Sequence, residues 1–255
     1  MLTAITRDVS DQLGKCELTF QSRVGIDTQL AIRQHQEYQS ALASLGCEIV
    51  TVPAAPELPD SVFVEDTAIV LDEVAVMCMP GAESRRPELA GVAEALQPFR
   101  SLERIELPGT LDGGDLLRVG NVVYAGLSTR SNHEGIEQLR NITGRFGYSV
   151  ETVETNKCLH LKSAATQIAP DTLLINPDWV DRTCFGGLEL IEVSGAEPHA
   201  ANALRIGTSV VYPSAFPRTL EDLRRRGLDV VTVDLSELQK AEGAITCCSL
   251  IVESK

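Results

Sequence analysis

Cys247 and Cys248 are adjacent thiols near the end of the chain, inside the run Ala244-Ile245-Thr246-Cys247-Cys248-Ser249-Leu250-Ile251-Val252. Its apolar ends predict a strand. Neighbouring strand side chains point to opposite faces, so at most one of the two thiols looks into a given cavity. A nucleophilic thiolate needs a base beside it and a group that orients the base. His160 is the base candidate, because it alternates with Leu159 and Leu161 as a strand residue would. His35 and His133 fall on helical faces expected to be exposed, and His199 follows Pro198 in a loop. The orienting carboxylate is sought in Leu111-Asp112-Gly113-Gly114-Asp115, where two glycines let the backbone turn sharply or approach another segment closely. A lone strand histidine is commonly a packing residue. A cysteine pair, a histidine and an aspartate at three separate strand ends are the minimum set for covalent catalysis.

Two further clusters carry charge. In Pro59-Asp60-Ser61-Val62-Phe63-Val64-Glu65-Asp66-Thr67, three carboxylates flank an apolar core. Glu65 and Asp66 stand directly before the buried-looking strand Ala68-Ile69-Val70-Leu71, where a charge is expected to meet a cation. Arg85, in Gly81-Ala82-Glu83-Ser84-Arg85-Arg86-Pro87, and Arg130, in Ser128-Thr129-Arg130-Ser131-Asn132, each stand at a helix start. Helix N-termini favour anions, and a guanidinium fork suits a carboxylate. Either arginine alone reads as a surface residue, but two at the same point of successive repeats suggest a shared anion site.

The elements that must position these groups recur weakly as strand, tight turn, strand, helix, strand, at a spacing of about 40–50 residues. One copy runs from Thr67–Met77 through a helix after Pro87 to the strand Arg104–Leu107. The next runs from Asp115–Ala125 through a helix opened by Ser131 and Glu134, spaced as a capping box, to Ser149–Val153. A third runs from Ala164–Ile175 through an irregular middle to Leu190–Val193. The fourth runs from Ala203–Tyr212 through a helix over Thr219–Arg226, stopped by Gly227, to Asp229–Val233. The strand at Cys247 then has no helix after it, while the N-terminus supplies Leu2–Thr6, a helix over Asp27–Leu45 and Glu48–Val52. A fifth copy split between the termini predicts a closed ring, an α/β propeller of five ββαβ units spanning residues 1–255 as one domain.

Composition narrows the function. A formal charge of −14 argues against a nucleic-acid partner and predicts a field that attracts cationic small molecules. No apolar run is long enough for a membrane span, and no signal peptide is evident, so no membrane partner is expected. Seven cysteines, an odd number without a C-x-x-C pair or zinc-finger spacing, fit a reducing cytoplasm. Walker, dinucleotide and H-E-x-x-H motifs are absent from the sequence.

From end to end the chain resembles the dimethylarginine dimethylaminohydrolase family of the guanidino-group-modifying (pentein) superfamily. The resemblance rests on Leu13-Gly14, Asp60-Ser61-Val62-Phe63-Val64-Glu65-Asp66, Pro80-Gly81-Ala82-Glu83-Ser84-Arg85-Arg86 and Leu111-Asp112-Gly113-Gly114-Asp115. It continues through Leu159-His160-Leu161-Lys162, Ala200-Ala201-Asn202 and Thr246-Cys247-Cys248-Ser249. It implies a five-bladed ring and a hydrolase that turns methylated arginines into citrulline without metal or cofactor, as a monomer or homodimer. By the same resemblance Cys247 is the nucleophile, His160 the general acid/base and Asp112 the carboxylate that orients it. Asp60, Glu65 and Asp66 belong to the acidic pocket, Arg85 and Arg130 hold the α-carboxylate, and Leu13 lies in a flexible lid whose backbone meets the α-amine. Glu242 stands where many relatives have Asp, beside Ala241, and is expected to tune the preference between monomethylated and dimethylated substrates. The competing readings are an arginine deiminase-like hydrolase and a non-catalytic binding ring.

Overall fold

The structure, a computed structural model, describes residues 1–253. Near the N-terminus β1 (Leu2–Arg7), α1 (Thr28–Ser44) and β2 (Cys47–Val52) follow one another. Asp27 caps α1 by accepting the N–H of Leu30 at 3.0 Å, and Gly46, at φ +89°, ends it. Four further units come next. The first holds β3 (Ala68–Val70), β4 (Val74–Met77), α2 (Leu89–Leu96) and β5 (Ser101–Arg104). The second holds β6 (Leu116–Val119), β7 (Val122–Leu127), α3 (His133–Gly144) and β8 (Ser149–Glu154). In the third, the short helix α4 (Leu161–Ala164) leads into β9 (Ala165–Ala169), β10 (Thr172–Ile175) and β11 (Glu189–Glu192), with one 3-10 turn where the others carry a helix. The fourth holds β12 (Leu204–Ile206), β13 (Ser209–Pro213), α5 (Pro217–Arg225) and β14 (Asp229–Val233), and β15 (Leu250–Glu253) closes the series.

Every unit builds the same three-stranded sheet. Its first two strands pair antiparallel across a short turn, and the third returns parallel to the second. In the last sheet β15 pairs antiparallel with β1 and β1 parallel with β2, so both ends of the chain make one blade. A parallel return needs a long crossover, which is why each helix sits between the second and third strands.

Five apolar clusters lie between blades, one at each junction. Ile5, Leu250 and Val252 pack on Val64 and Met77; Ile69 and Val76 pack on Leu116 and Val123. Tyr124 and Val153 meet Leu173 and Phe185, and Leu174 and Ile191 meet Val210 and Tyr212. Val211 and Val233 complete the circle against Tyr38 and Leu42 of α1. Each fully buried large side chain contributes roughly 1.5–3 kcal/mol, so the ring is held together at its seams. Among the described residues no helix is long and apolar enough to cross a membrane.

Several local expectations differ from the structure. The cysteine pair does not lie on a strand: Thr246–Cys248 is a turn of 3-10 helix, and the strand begins only at Leu250. His160 likewise precedes α4 rather than sitting within a strand. Asn132, not Ser131, caps α3 by accepting the N–H of Gly135, because the Ser131 hydroxyl donates to Asp115. The third strand of the first unit is Ser101–Arg104, set by parallel register with β4, in place of Arg104–Leu107. His35, expected at the surface, is buried on α1, where burial pulls its imidazole down to about 4.

Candidate active site

The segments leading into the first strand of each blade converge at one end of the ring. Asp112 precedes β6, His160 precedes β9, Asp66 precedes β3 and Cys247 precedes β15. Asp112 is fully buried; its Oδ2 lies 3.1 Å from His160 Nε2, and its Oδ1 accepts the N–H of Gly81 at 2.9 Å. The two glycines beside it are explained by crowding. A Cβ on Gly113 would stand 1.9 Å from the Glu65 carbonyl, and one on Gly114 would stand 2.5 Å from His160 Nδ1. The backbone N–H of Gly114 donates to Asp66 Oδ1 at 3.1 Å, so the loop can touch both neighbours only without side chains.

His160 is buried, with Nε2 on Asp112 and Nδ1 3.7 Å from Asp66 Oδ1. Burial by itself would pull the imidazole down, but the charge of Asp66, the hydrogen bond to Asp112 and the charge of Asp115 outweigh it and push it up to about 9. Asp115, itself raised to about 6 by burial, anchors the next residue by accepting the N–H of Leu161 at 2.9 Å and the hydroxyls of Ser128 and Ser131. Cys247 is held well above the ordinary thiol value, first by burial and then by the charges of Glu65 and Asp66. Cys248 is fully buried in the core on the other side of the turn.

Asp60, Asp66, Arg85, Arg130, His160, Ala241, Glu242 and Cys247 line one small cavity of about 20 Å³. Larger cavities of about 200, 420 and 300 Å³ exist elsewhere, but none touches Asp112, His160 or Cys247, so size does not mark the chemistry. The small cavity is roofed by the segment after β1. Both oxygens of Asp60 accept the N–H of Glu17, and Arg130 Nη2 donates to Thr19 Oγ1 at 3.2 Å. The Glu242 carboxylate accepts the N–H groups of Thr19, Phe20 and Gln21 at 2.6–3.1 Å. Its backbone adopts φ +58°, an unusual conformation for a side-chain-bearing residue.

Three expected placements change. Leu13 is fully buried in the core, its carbonyl taken by the N–H of Cys16, so it does not line the cavity; Glu17, four residues on, does. Glu65 lies beneath the cavity rather than in its wall, accepting Lys162 Nζ at 2.7 Å and Thr246 Oγ1 at 2.6 Å. Arg85 reaches the cavity with most donors already committed: a fork onto Glu88 at 2.8 and 3.1 Å, Asp66 Oδ2 at 2.5 Å, and the carbonyls of Asp60 and Phe63. Arg130 carries the more open fork. Glu88 escaped the sequence reading although it stands three residues after Arg85 on a helical turn, a spacing that invites an ion pair. Phe63 and Leu159, which also line the cavity, give no signal beyond their place in apolar runs.

Asp66, Asp112 and His160 offer ligand atoms within 4.8 Å of one another, enough for a cation. A metal there would compete with Arg85 for Asp66 and with Gly81 for Asp112.

A ring of five ββαβ units with a cysteine, a histidine and carboxylates at one mouth defines a hydrolase of the pentein class. A family model described as N,N dimethylarginine dimethylhydrolase, eukaryotic, matches residues 15–253. The N(G),N(G)-dimethylarginine dimethylaminohydrolase of Pseudomonas aeruginosa is 38% identical over 88% of this chain and 89% of its own. That of Streptomyces coelicolor is 37% identical over 97% and 95%. Among solved structures, a mutant of the Pseudomonas aeruginosa enzyme complexed with citrulline superimposes with a TM-score of 0.94 at 35% identity, covering 98% of this chain and 99% of the other. The N-terminal domain of a cyanobacterial arginine dihydrolase has the same fold, with a TM-score of 0.88 at 18% identity over 100% and 99% of the two chains. The chain belongs to the dimethylarginine dimethylaminohydrolase family.

Proposed function

We propose that the chain converts Nω,Nω-dimethyl-L-arginine and Nω-methyl-L-arginine to L-citrulline, releasing dimethylamine or methylamine. The observation that carries this reading is the hydrogen-bonded Asp112–His160 pair, whose imidazole faces the same cavity as Asp66 and Cys247. The protein acts as one domain over residues 1–255, in the cytoplasm, on a small cationic substrate, as a monomer or homodimer.

A guanidinium carbon is a poor electrophile because its charge is delocalised. Asp66 and Asp60 are the groups to receive the cation. Burial opposes the charged form of Asp66, but His160 and Arg85 outweigh it and hold the carboxyl below its ordinary value, ready for a cation. Burial first, and then the charges of Glu65 and Asp66, keep Cys247 protonated in the empty site. A bound guanidinium offsets that negative charge, so the thiol gives up its proton to solvent and the thiolate forms when substrate arrives. Because Asp112 holds Nε2, Nδ1 is the atom turned towards Asp66 and the cavity, and it handles the proton.

Sγ of Cys247 attacks the guanidino carbon. As the bond to the dimethylated nitrogen breaks, His160 gives it a proton and dimethylamine departs, leaving a thiouronium on Cys247. The imidazole, now neutral, takes a proton from water while the water oxygen attacks the same carbon. The carbon–sulfur bond breaks, the proton of the carbon-bound hydroxyl passes to the departing sulfur as the carbonyl forms, and the regenerated thiol and citrulline complete the cycle. Arg130, with the remaining capacity of Arg85, holds the α-carboxylate. Ala241 and Glu242 line the cavity, where Glu242 shifts the preference between monomethylated and dimethylated substrates, and Glu65 supports the turn beneath. A cavity of about 20 Å³ has room for roughly one water, so the segment over Thr19–Gln21 opens before substrate enters.

Incubation with dimethylarginine, monomethylarginine and arginine side by side, with the amine products identified, tests the reading. Dimethylamine and methylamine with equimolar citrulline are expected. Ammonia from arginine alone would assign a deiminase, and binding without any product would leave a non-catalytic ring.

A further inference from the structure

Beneath the cavity, one residue from each blade enters a single buried hydrogen-bonded cluster. Glu65 Oε1 accepts Lys162 Nζ at 2.7 Å, Lys162 Nζ also donates to the Gly113 carbonyl at 3.2 Å, and Glu65 Oε2 accepts Thr246 Oγ1 at 2.6 Å. The fifth member is Asn202, buried just before β12. Its Oδ1 accepts the backbone N–H of Thr246 at 3.0 Å, while its Nδ2 donates to Thr246 Oγ1 and to the Lys162 carbonyl, both at 3.0 Å. The donors and acceptors run one way, from the Asn202 amide through the Thr246 hydroxyl to the Glu65 carboxylate, which fixes the amide orientation.

The position of the cluster in the sequence gives it meaning. Thr246 precedes Cys247, Glu65 precedes Asp66, Gly113 follows Asp112, and Lys162 stands two residues after His160. The fourth blade supplies none of the reacting groups, only Asn202. Both amide atoms of Asn202 are spent on the segments that carry the thiol and the imidazole, which come from different blades.

We propose that Asn202 is a positioning residue: its side-chain amide sets the Thr246–Cys248 turn against the segment carrying His160, and so fixes the approach of Cys247 Sγ to the guanidino carbon. The proposal rests on the roles given above to Cys247 and His160. It requires no contact between Asn202 and substrate. A displacement of about 1 Å at the reacting atoms costs on the order of 10²-fold in rate, whereas substrate binding through Asp60, Asp66 and Arg130 is left intact.

The test is steady-state kinetics on Asn202→Ala, Thr246→Val and Thr246→Ser, with thermal melting and the rate of Cys247 alkylation by iodoacetamide as controls. Asn202→Ala and Thr246→Val should each lower kcat about 10²-fold with KM within about 3-fold. Thr246→Ser, which keeps the hydroxyl, should stay within about 3-fold of the parent. Alkylation should change little, because a small electrophile does not need the fixed approach. Thr246→Val is nearly isosteric and keeps the test open if Asn202→Ala does not fold. Unchanged kcat in Thr246→Val, or a loss confined to KM, overturns the proposal. Cys247→Ser separates the two levels: if it stays active, the underlying reading fails, and if it is dead while Asn202→Ala and Thr246→Val are fully active, only the positioning role fails.

Discussion

Asp112 and His160 lie 48 residues apart in sequence on adjacent blades, yet Oδ2 of one stands 3.1 Å from Nε2 of the other, with both side chains shut away from solvent. The second oxygen of Asp112 is pinned by the N–H of Gly81, so the carboxylate cannot rotate away. An imidazole held in this way presents one defined nitrogen to the cavity.

Asp112→Asn should therefore act on rate. The amide keeps the shape but weakens the hydrogen bond that, after the charge of Asp66, supports a protonated imidazole, and general acid–base catalysis is typically worth about 10²–10⁴-fold. A fall in kcat of about that size with KM within about 3-fold is the expected result of steady-state assays. A change in KM alone would make Asp112 a binding residue.

The raised value of His160 sets a pH window. In the folded protein the imidazole is protonated up to about 9, against an ordinary value of 6.5. It can give its proton to the leaving amine throughout the neutral range, so kcat/KM should fall as pH rises through about 9. The same shift is linked to stability. Because the folded value is higher, the contribution is fully present below pH 6.5 and is lost as pH rises through about 9. It amounts to a few kcal/mol, on the order of 3. Melting temperatures measured from pH 6 to 10 should fall across this window, and less so in Asp112→Asn. A flat profile for both stability and kcat/KM would contradict the assignment.

The ring was legible in the sequence because its signals are local. Gly46 and Gly227, at φ +89° and +83°, end helices α1 and α5, and Gly120 and Gly207, at +58° and +60°, turn two hairpins. These need only their own neighbours to be recognised. Asp112, His160 and Cys247 were legible as chemistry, because few residue types can do that work. What stayed hidden depends on contacts far along the chain. The turn at Thr246–Cys248 interrupts an apolar run because Asn202 and Glu65 take the Thr246 N–H and hydroxyl. His35 is buried because helix α1 packs on α6 (Ser236–Gln239) and β14. Leu13 stands in the segment after β1 that roofs the cavity, and the burial of its side chain in the core is not visible from its place in sequence.

Glu242 has, besides its place at the cavity, a second role that its position in the sequence does not show. It lines the cavity, and its carboxylate also holds three consecutive N–H groups of the roof. Hydrogen bonds to a charged group are each worth about 1.5–3 kcal/mol. Glu242→Gln should loosen the roof, raising KM roughly 10-fold and speeding amide exchange at Thr19, Phe20 and Gln21. Exchange at these amides that matches the parent would show that the latch does not hold the roof closed.

The most direct test of covalent catalysis is an acid quench during turnover of dimethylarginine, followed by peptide mass analysis. The account predicts a transient adduct on Cys247, present in the parent and in Cys248→Ser, and absent in Cys247→Ser together with turnover. An adduct on Cys248, or full turnover by Cys247→Ser, would contradict it.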